Sequence, residues 1–133
     1  MIEQRVRKSR RLLAVQQDLQ RIEEERVAGL KRRQVEISTL QQEAIDALSA
    51  DEALQGVFTS IIVKRLQALG EEKLRIDAEM ERRLRILQAA AARTKYAEKL
   101  NRGYEQQRAK TISDKELMDV IERALRIDDA SLP

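Results

Sequence analysis

The single proline of the 133-residue chain is its last residue, so no ring before it removes a backbone donor or forces a helix to stop. The commonest residues are Ala, Leu, Glu, Arg, Gln and Lys, whose side chains lose little freedom on a helix. Only two Tyr and one Phe are present to fill a compact core. The sequence therefore predicts an all-α protein of long helices that bury a narrow seam.

Apolar residues in the first third recur at intervals of mostly three and four: Ile2, Val6, Leu12, Val15, Leu19, Ile22, Leu30, Ile37, Leu40, Ala44 and Leu48. Arg26 and Arg33 or Gln34 fall where apolar residues belong, and Gly29 weakens the same region, so the seam is expected to be under-packed there and able to bend. A second stripe runs through Phe58, Ile62, Leu66, Leu69, Ile76, Met80, Leu84, Leu87, Ala91, Leu100 and Tyr104. Between the stripes, "LSADEALQGVFTS" carries a capping-box spacing at Ser49 and Glu52 and a permissive Gly56, which sets a turn within about 49–57. Arms of about 1–48 and 58–105 around one break predict a long antiparallel two-helix coiled-coil hairpin over 1–110, each arm roughly 70 Å long. A break at Gly70 is the competing placement. The four consecutive alanines in "QAAAARTKYA" suit close helix approach, and Ala is equally the best helix former.

Charge is unevenly spread. Residues 1–36 hold ten Lys/Arg against six Asp/Glu (+4), 37–81 four against nine (−5), 82–110 nine against two (+7), and 111–133 three against six (−3). Folded as a hairpin, such a chain is expected to have a basic open end, an acidic tip and an acidic tail, a polarised field that orients a partner on approach. Soluble spacing of Lys and Arg along a helix accounts for any one of these residues, but less well for their clustering.

The tail, 111–133, reads as a freshly started amphipathic helix. Ser113 and Glu116 have capping-box spacing; Leu117, Ile121, Ala124 and Leu125 form an apolar stripe beside Met118; Asp114, Glu116, Asp119 and Glu122 make an acidic face. It overhangs the first arm, so its apolar face either folds back or awaits another protein.

The chain has neither Cys nor His, which removes disulfides, thiolate and imidazole ligands and the usual general base. Paired carboxylates such as Glu71 and Glu72 lie on helix surface with no pocket to tune them, so no enzyme, cofactor or metal site is expected. The longest apolar run, Ala53 to Val63, is too short and too polar to span a bilayer, and "MIEQRVRKSRRLL" lacks the features of a signal peptide, so a cytoplasmic protein without membrane insertion is expected. The basic start "RVRKSRRLL" contains no Asn for reading base edges, and aromatics for stacking are scarce, so no specific nucleic-acid partner is expected.

The opening "RRLLAVQQDLQRIEEERVAGL", with its Leu pair and charged stripe, resembles the first arm of the FliJ/YscO-type central stalks of bacterial type III export, flagellar or virulence-associated. The tail, where Lys115, Glu116 and Met118-Asp119 precede Ile121, Arg123 and Ala124, is similar to that family's closing stretch. The resemblance implies a hairpin like the coiled coil of a rotary ATPase's γ subunit. It implies a cytoplasmic stalk, peripheral to the inner membrane at the export apparatus, whose open end enters a hexameric export ATPase while its tip faces the export gate protein. Escort of substrate chaperones is also implied. Carried over, Arg5, Arg7, Lys8, Arg10, Arg11, Lys115, Glu116, Met118 and Asp119 stand at the ATPase end. The resemblance is silent on the tip, where Phe58, Ile61 and Ile62 are candidates from the residues themselves, seam packing being an equal account of them. A coiled-coil scaffold or export chaperone is the alternative function.

Overall fold

In the computed structural model, which describes residues 1–131, two helices make up nearly the whole chain: α1, Ile2–Ala53, and α2, Thr59–Ser131. They pack as an all-α helical hairpin with no strand among the described residues. The arms are antiparallel, since partners across the seam descend along α2 as they ascend along α1.

The turn occupies 54–58, inside the expected interval but for Phe58. α1 ends in a Schellman motif: the Gly56 N–H donates to the Asp51 carbonyl at 2.9 Å and the Gln55 N–H to the Glu52 carbonyl at 3.2 Å. Gln55 and Gly56 both take left-handed backbone, with φ of 64° and 76°. A Cβ on Gly56 would also meet the Thr59 hydroxyl at 3.2 Å, so this glycine suits its place. Gln55 carries the strain a glycine would relieve, and Gln55→Gly is expected to stabilise the hairpin by about 0.5–1 kcal/mol in urea unfolding. The capping box expected at Ser49 and Glu52 does not form. Ser49 lies inside α1 and its hydroxyl donates back to the Ile45 carbonyl at 3.3 Å. The cap is Asp51 instead, whose carboxylate accepts the Phe58 N–H at 2.9 Å and the Thr59 hydroxyl at 2.7 Å, satisfying the N-terminus of α2 from the end of α1. Gly70 lies within α2 and breaks nothing.

The chain divides into two compact units. The unit spanning Leu19–Ala91 contains the turn and buries Val27, Ile37, Ala44, Leu69, Met80 and Ala90. Ile37 is fully covered, at 0% exposure. Where the sequence leaves apolar gaps, long polar side chains bridge the arms. Arg33 reaches Glu72, the Gln34 amide donates to Asp77 at 2.9 Å, and Arg83 meets Glu23 at 3.5 Å. Arg26 pairs with Glu23 on its own helix, and an open hollow of about 300 Å³ remains beside Gly29 and Leu30. The Arg82 guanidinium, followed by Arg83, holds the Glu79 carboxyl below the ordinary range. Its small contribution is therefore present above the unfolded carboxylate's value and lost as acid titrates the folded one.

The other unit joins Met1–Asp18 to α2 from Ala92 onward and buries Val6, Ser9, Thr94 and Ala97. Ser9 on α1 and Thr94 and Ala97 on α2 are small, which suits close approach of the two helices there. Ser9 donates to the Val6 carbonyl and accepts from the Asn101 amide at 3.0 Å, while the Thr94 hydroxyl donates to the Gln16 carbonyl at 3.2 Å.

The expected seam is displaced along part of α1. Covered positions there advance through Val6, Ser9, Leu13, Gln16, Gln20, Glu23 and Val27, alternating steps of three and four. Leu12, Val15, Leu19 and Ile22 sit one residue out of that phase, about 100° around the helix, and are exposed, Val15 to 53%. An unbroken helix keeps one phase, so four locally consistent apolar residues end outside while polar ones enter the seam. Of the expected second stripe, Phe58 in the turn and Leu84 on α2 are likewise exposed.

No new helix begins at Ser113. α2 passes through it unbroken, and Thr111 bonds back to the Gln107 carbonyl at 2.9 Å as an interior residue does. Residues 132–133 of the expected tail lie outside the described residues.

Candidate functional site

The candidate surface belongs to the unit that holds α1's first turns and the far part of α2. Glu3 accepts from Arg108 at 2.8 Å, and Arg10 donates to Glu105 at 2.6 Å. These pairs are solvent-exposed and add little strength, but they fix where α1 begins against α2. A hollow of about 500 Å³ bordered by Met1, Arg5, Lys110, Thr111 and Asp114 marks that beginning.

Beyond it α2 runs on alone. Every described side chain from Ala109 to Asp129 is exposed, so the overhang expected from the sequence exists as continuous helix and does not fold back. Ile112, Leu117, Met118, Val120, Ile121, Leu125 and Ile127 all face solvent there. Covering one such side chain is worth about 1.5–3 kcal/mol, so leaving seven open is a large unspent driving force for association.

Of the residues that the resemblance sets at the ATPase end, Lys115, Glu116, Met118 and Asp119 lie on this overhang, and Arg5, Arg7, Lys8, Arg10 and Arg11 on the first turns of α1. All nine are exposed and in one unit. Arg10 is held by Glu105; Arg5, Arg7, Lys8 and Arg11 make no ion pair among the described residues. Phe58 and Ile61 are exposed at the turn, but Ile62 is half-buried against α1, where Leu40, Ala44 and Ala47 lie close by. Leu54 and Val57, which sequence reasoning passed over, are exposed in the same short stretch.

A second surface was not foreseen. Leu12, being out of phase, lines both of two adjacent hollows on the terminal unit, of about 430 and 190 Å³. Ala92, Arg93, Tyr96 and Ala97 line the larger, and Arg5, Lys8, Leu100 and Tyr104 the smaller. Gln16 borders this groove, its Oε1 sealed from solvent without a donor. The signal available in the sequence was the one-residue offset between Leu12 and the phase of Val6 and Val27.

Among the described residues no cluster of three or more acidic side chains could hold a metal, and no helix is long and apolar enough to cross a membrane. Compared with known protein families, curated proteins and solved structures, the chain finds no match in any of the three.

Proposed function

We propose that this chain is a non-enzymatic coupling stalk of a type III protein export apparatus, engaging a hexameric export ATPase through its terminal unit and the export gate protein through Phe58 and Ile61 at the turn. The observation that carries this reading is the overhang: a helix with an acidic face and an uncovered apolar stripe, projecting past α1 in the unit that also bears Arg5, Arg7, Lys8 and Arg11, which make no ion pair among the described residues. Support also comes from the resemblance of the opening arm and the tail to the FliJ/YscO-type stalks. A seam bridged by polar side chains suits a part that must flex while its partner turns over. Placement in the cytoplasm at the inner membrane, and escort of substrate chaperones, belong to the same reading.

The test is to mix the purified chain with a hexameric export ATPase and follow hydrolysis and hexamer assembly. The wild-type chain is expected to raise both. Met118→Asp and Asp119→Lys, at exposed positions, are expected to weaken the effect at least about tenfold with helicity unchanged. Absence of association and stimulation by the wild-type chain would sink the stalk reading. The second reading, a coiled-coil scaffold or export chaperone, draws on the apolar groove around Leu12 and Tyr96, and predicts that substitutions there, not at Met118, abolish partner capture.

A further inference from the structure

We propose that the overhang of one chain seats in the Leu12–Tyr96 groove of a second copy, and the reverse, giving a two-fold dimer by reciprocal exchange. The inference does not depend on the stalk reading. Each surface has what the other lacks. The groove is lined by apolar Leu12, Tyr96 and Leu100 together with basic Arg5, Lys8 and Arg93. The overhang offers Leu117, Ile121 and Leu125 at four-residue spacing, all exposed, beside Asp114, Glu116, Asp119 and Glu122.

Within one chain the two cannot meet. Ile121 lies twenty-five residues beyond Tyr96 on the same uninterrupted helix, about 37 Å along its axis, so the overhang must find its groove on another molecule. The overhang and the Tyr96–Leu100 side of the groove both sit on α2. Setting two α2 helices antiparallel, with Ile121 of one copy near Leu100 of the other, brings each overhang onto the other's groove in a single step. Such a contact is self-complementary and closes at two chains.

Charge selects this arrangement over pairing of overhang with overhang. The groove segment of α2, 93–110, carries Arg93, Lys95, Lys99, Arg102, Arg108 and Lys110 against Glu98 and Glu105. The overhang, 111–129, carries six acids against Lys115, Arg123 and Arg126. Antiparallel exchange places opposite signs face to face, twice over, whereas two overhangs side by side would set acid against acid. The dimer covers the same Leu117–Leu125 stripe that the proposed ATPase contact uses, so self-association and docking exclude each other.

Sedimentation of the full-length chain alone, from low to high micromolar, tests the exchange. A monomer–dimer equilibrium that weakens with added salt is expected. Ile121→Asp on the overhang and Tyr96→Asp in the groove, 42% and 67% exposed, should each weaken association at least about tenfold with helicity kept. An equimolar mixture of the two variants should associate better than either alone, because one reciprocal seat remains intact. Should an Asp variant lose helicity, Ile121→Ala and Tyr96→Ala carry the same expectation. A monomer at every concentration overturns the proposal. So does a dimer lost with Ile121→Asp but indifferent to Tyr96→Asp, which would mean overhangs pair with one another, or a mixture that fails to recover.

Discussion

Asp51→Ala is expected to lower the unfolding free energy by about 2–3 kcal/mol, seen as a fall in the urea midpoint with an unchanged slope. Asp51 is only 2% exposed, and both of its carboxylate oxygens are engaged, one by the Phe58 N–H and one by the Thr59 hydroxyl. Truncation leaves those donors facing a space from which water is largely excluded, and removes a negative charge from the positive end of α2's dipole. Asp51→Asn keeps one acceptor and should recover part of the loss. The Schellman bonds from Gly56 and Gln55 go to the Asp51 and Glu52 main-chain carbonyls, so α1 should still end where it does. A loss under about 0.5 kcal/mol would show that water substitutes for the side chain.

Gln16→Leu is expected to act in the opposite direction, stabilising the monomer by about 1–3 kcal/mol and raising Tm by several degrees. Gln16 Oε1 is covered but accepts no hydrogen bond among the described residues, a desolvation cost that a leucine of similar size removes. The Thr94 hydroxyl bonds the main-chain carbonyl of Gln16, so it survives the substitution. A neutral or negative result would mean that the amide finds a partner in solution.

The hairpin itself was legible, because absence of internal proline and an abundance of straight side chains leave few alternatives, and Gly56 marks the reversal. What was not legible shares one cause, that local patterns are weak against long helices. Ser49 and Glu52 have the spacing of a capping box, yet the functional cap comes from Asp51, whose targets lie seven and eight residues ahead, where the turn passes into the next helix. Ser113 and Glu116 have the same spacing within a helix that nothing interrupts, so no terminus exists for them to cap. Leu12, Val15, Leu19 and Ile22 keep perfect step among themselves and still lose to the phase held by Val6, Val27 and Ile37. The exposed overhang was readable from chain length beyond the first arm. The groove was not, since it exists only because that phase conflict was decided against Leu12.

Bridges such as Arg33 to Glu72 and Gln34 to Asp77 contribute little adhesion, but they make the hairpin a ruler. Two smoothly apolar helices could slip by a heptad and lose almost nothing. Here a slip of one heptad towards the turn end of α2 sets Arg33 against Arg65 and Glu23 against Ile76, and the opposite slip lets Arg33 meet Glu79 but sets Glu23 against Ala90 and Gln34 against Leu84, so either misaligned state repels or strands polar groups. The chain gives up cohesion along its seam and gains a single permitted alignment.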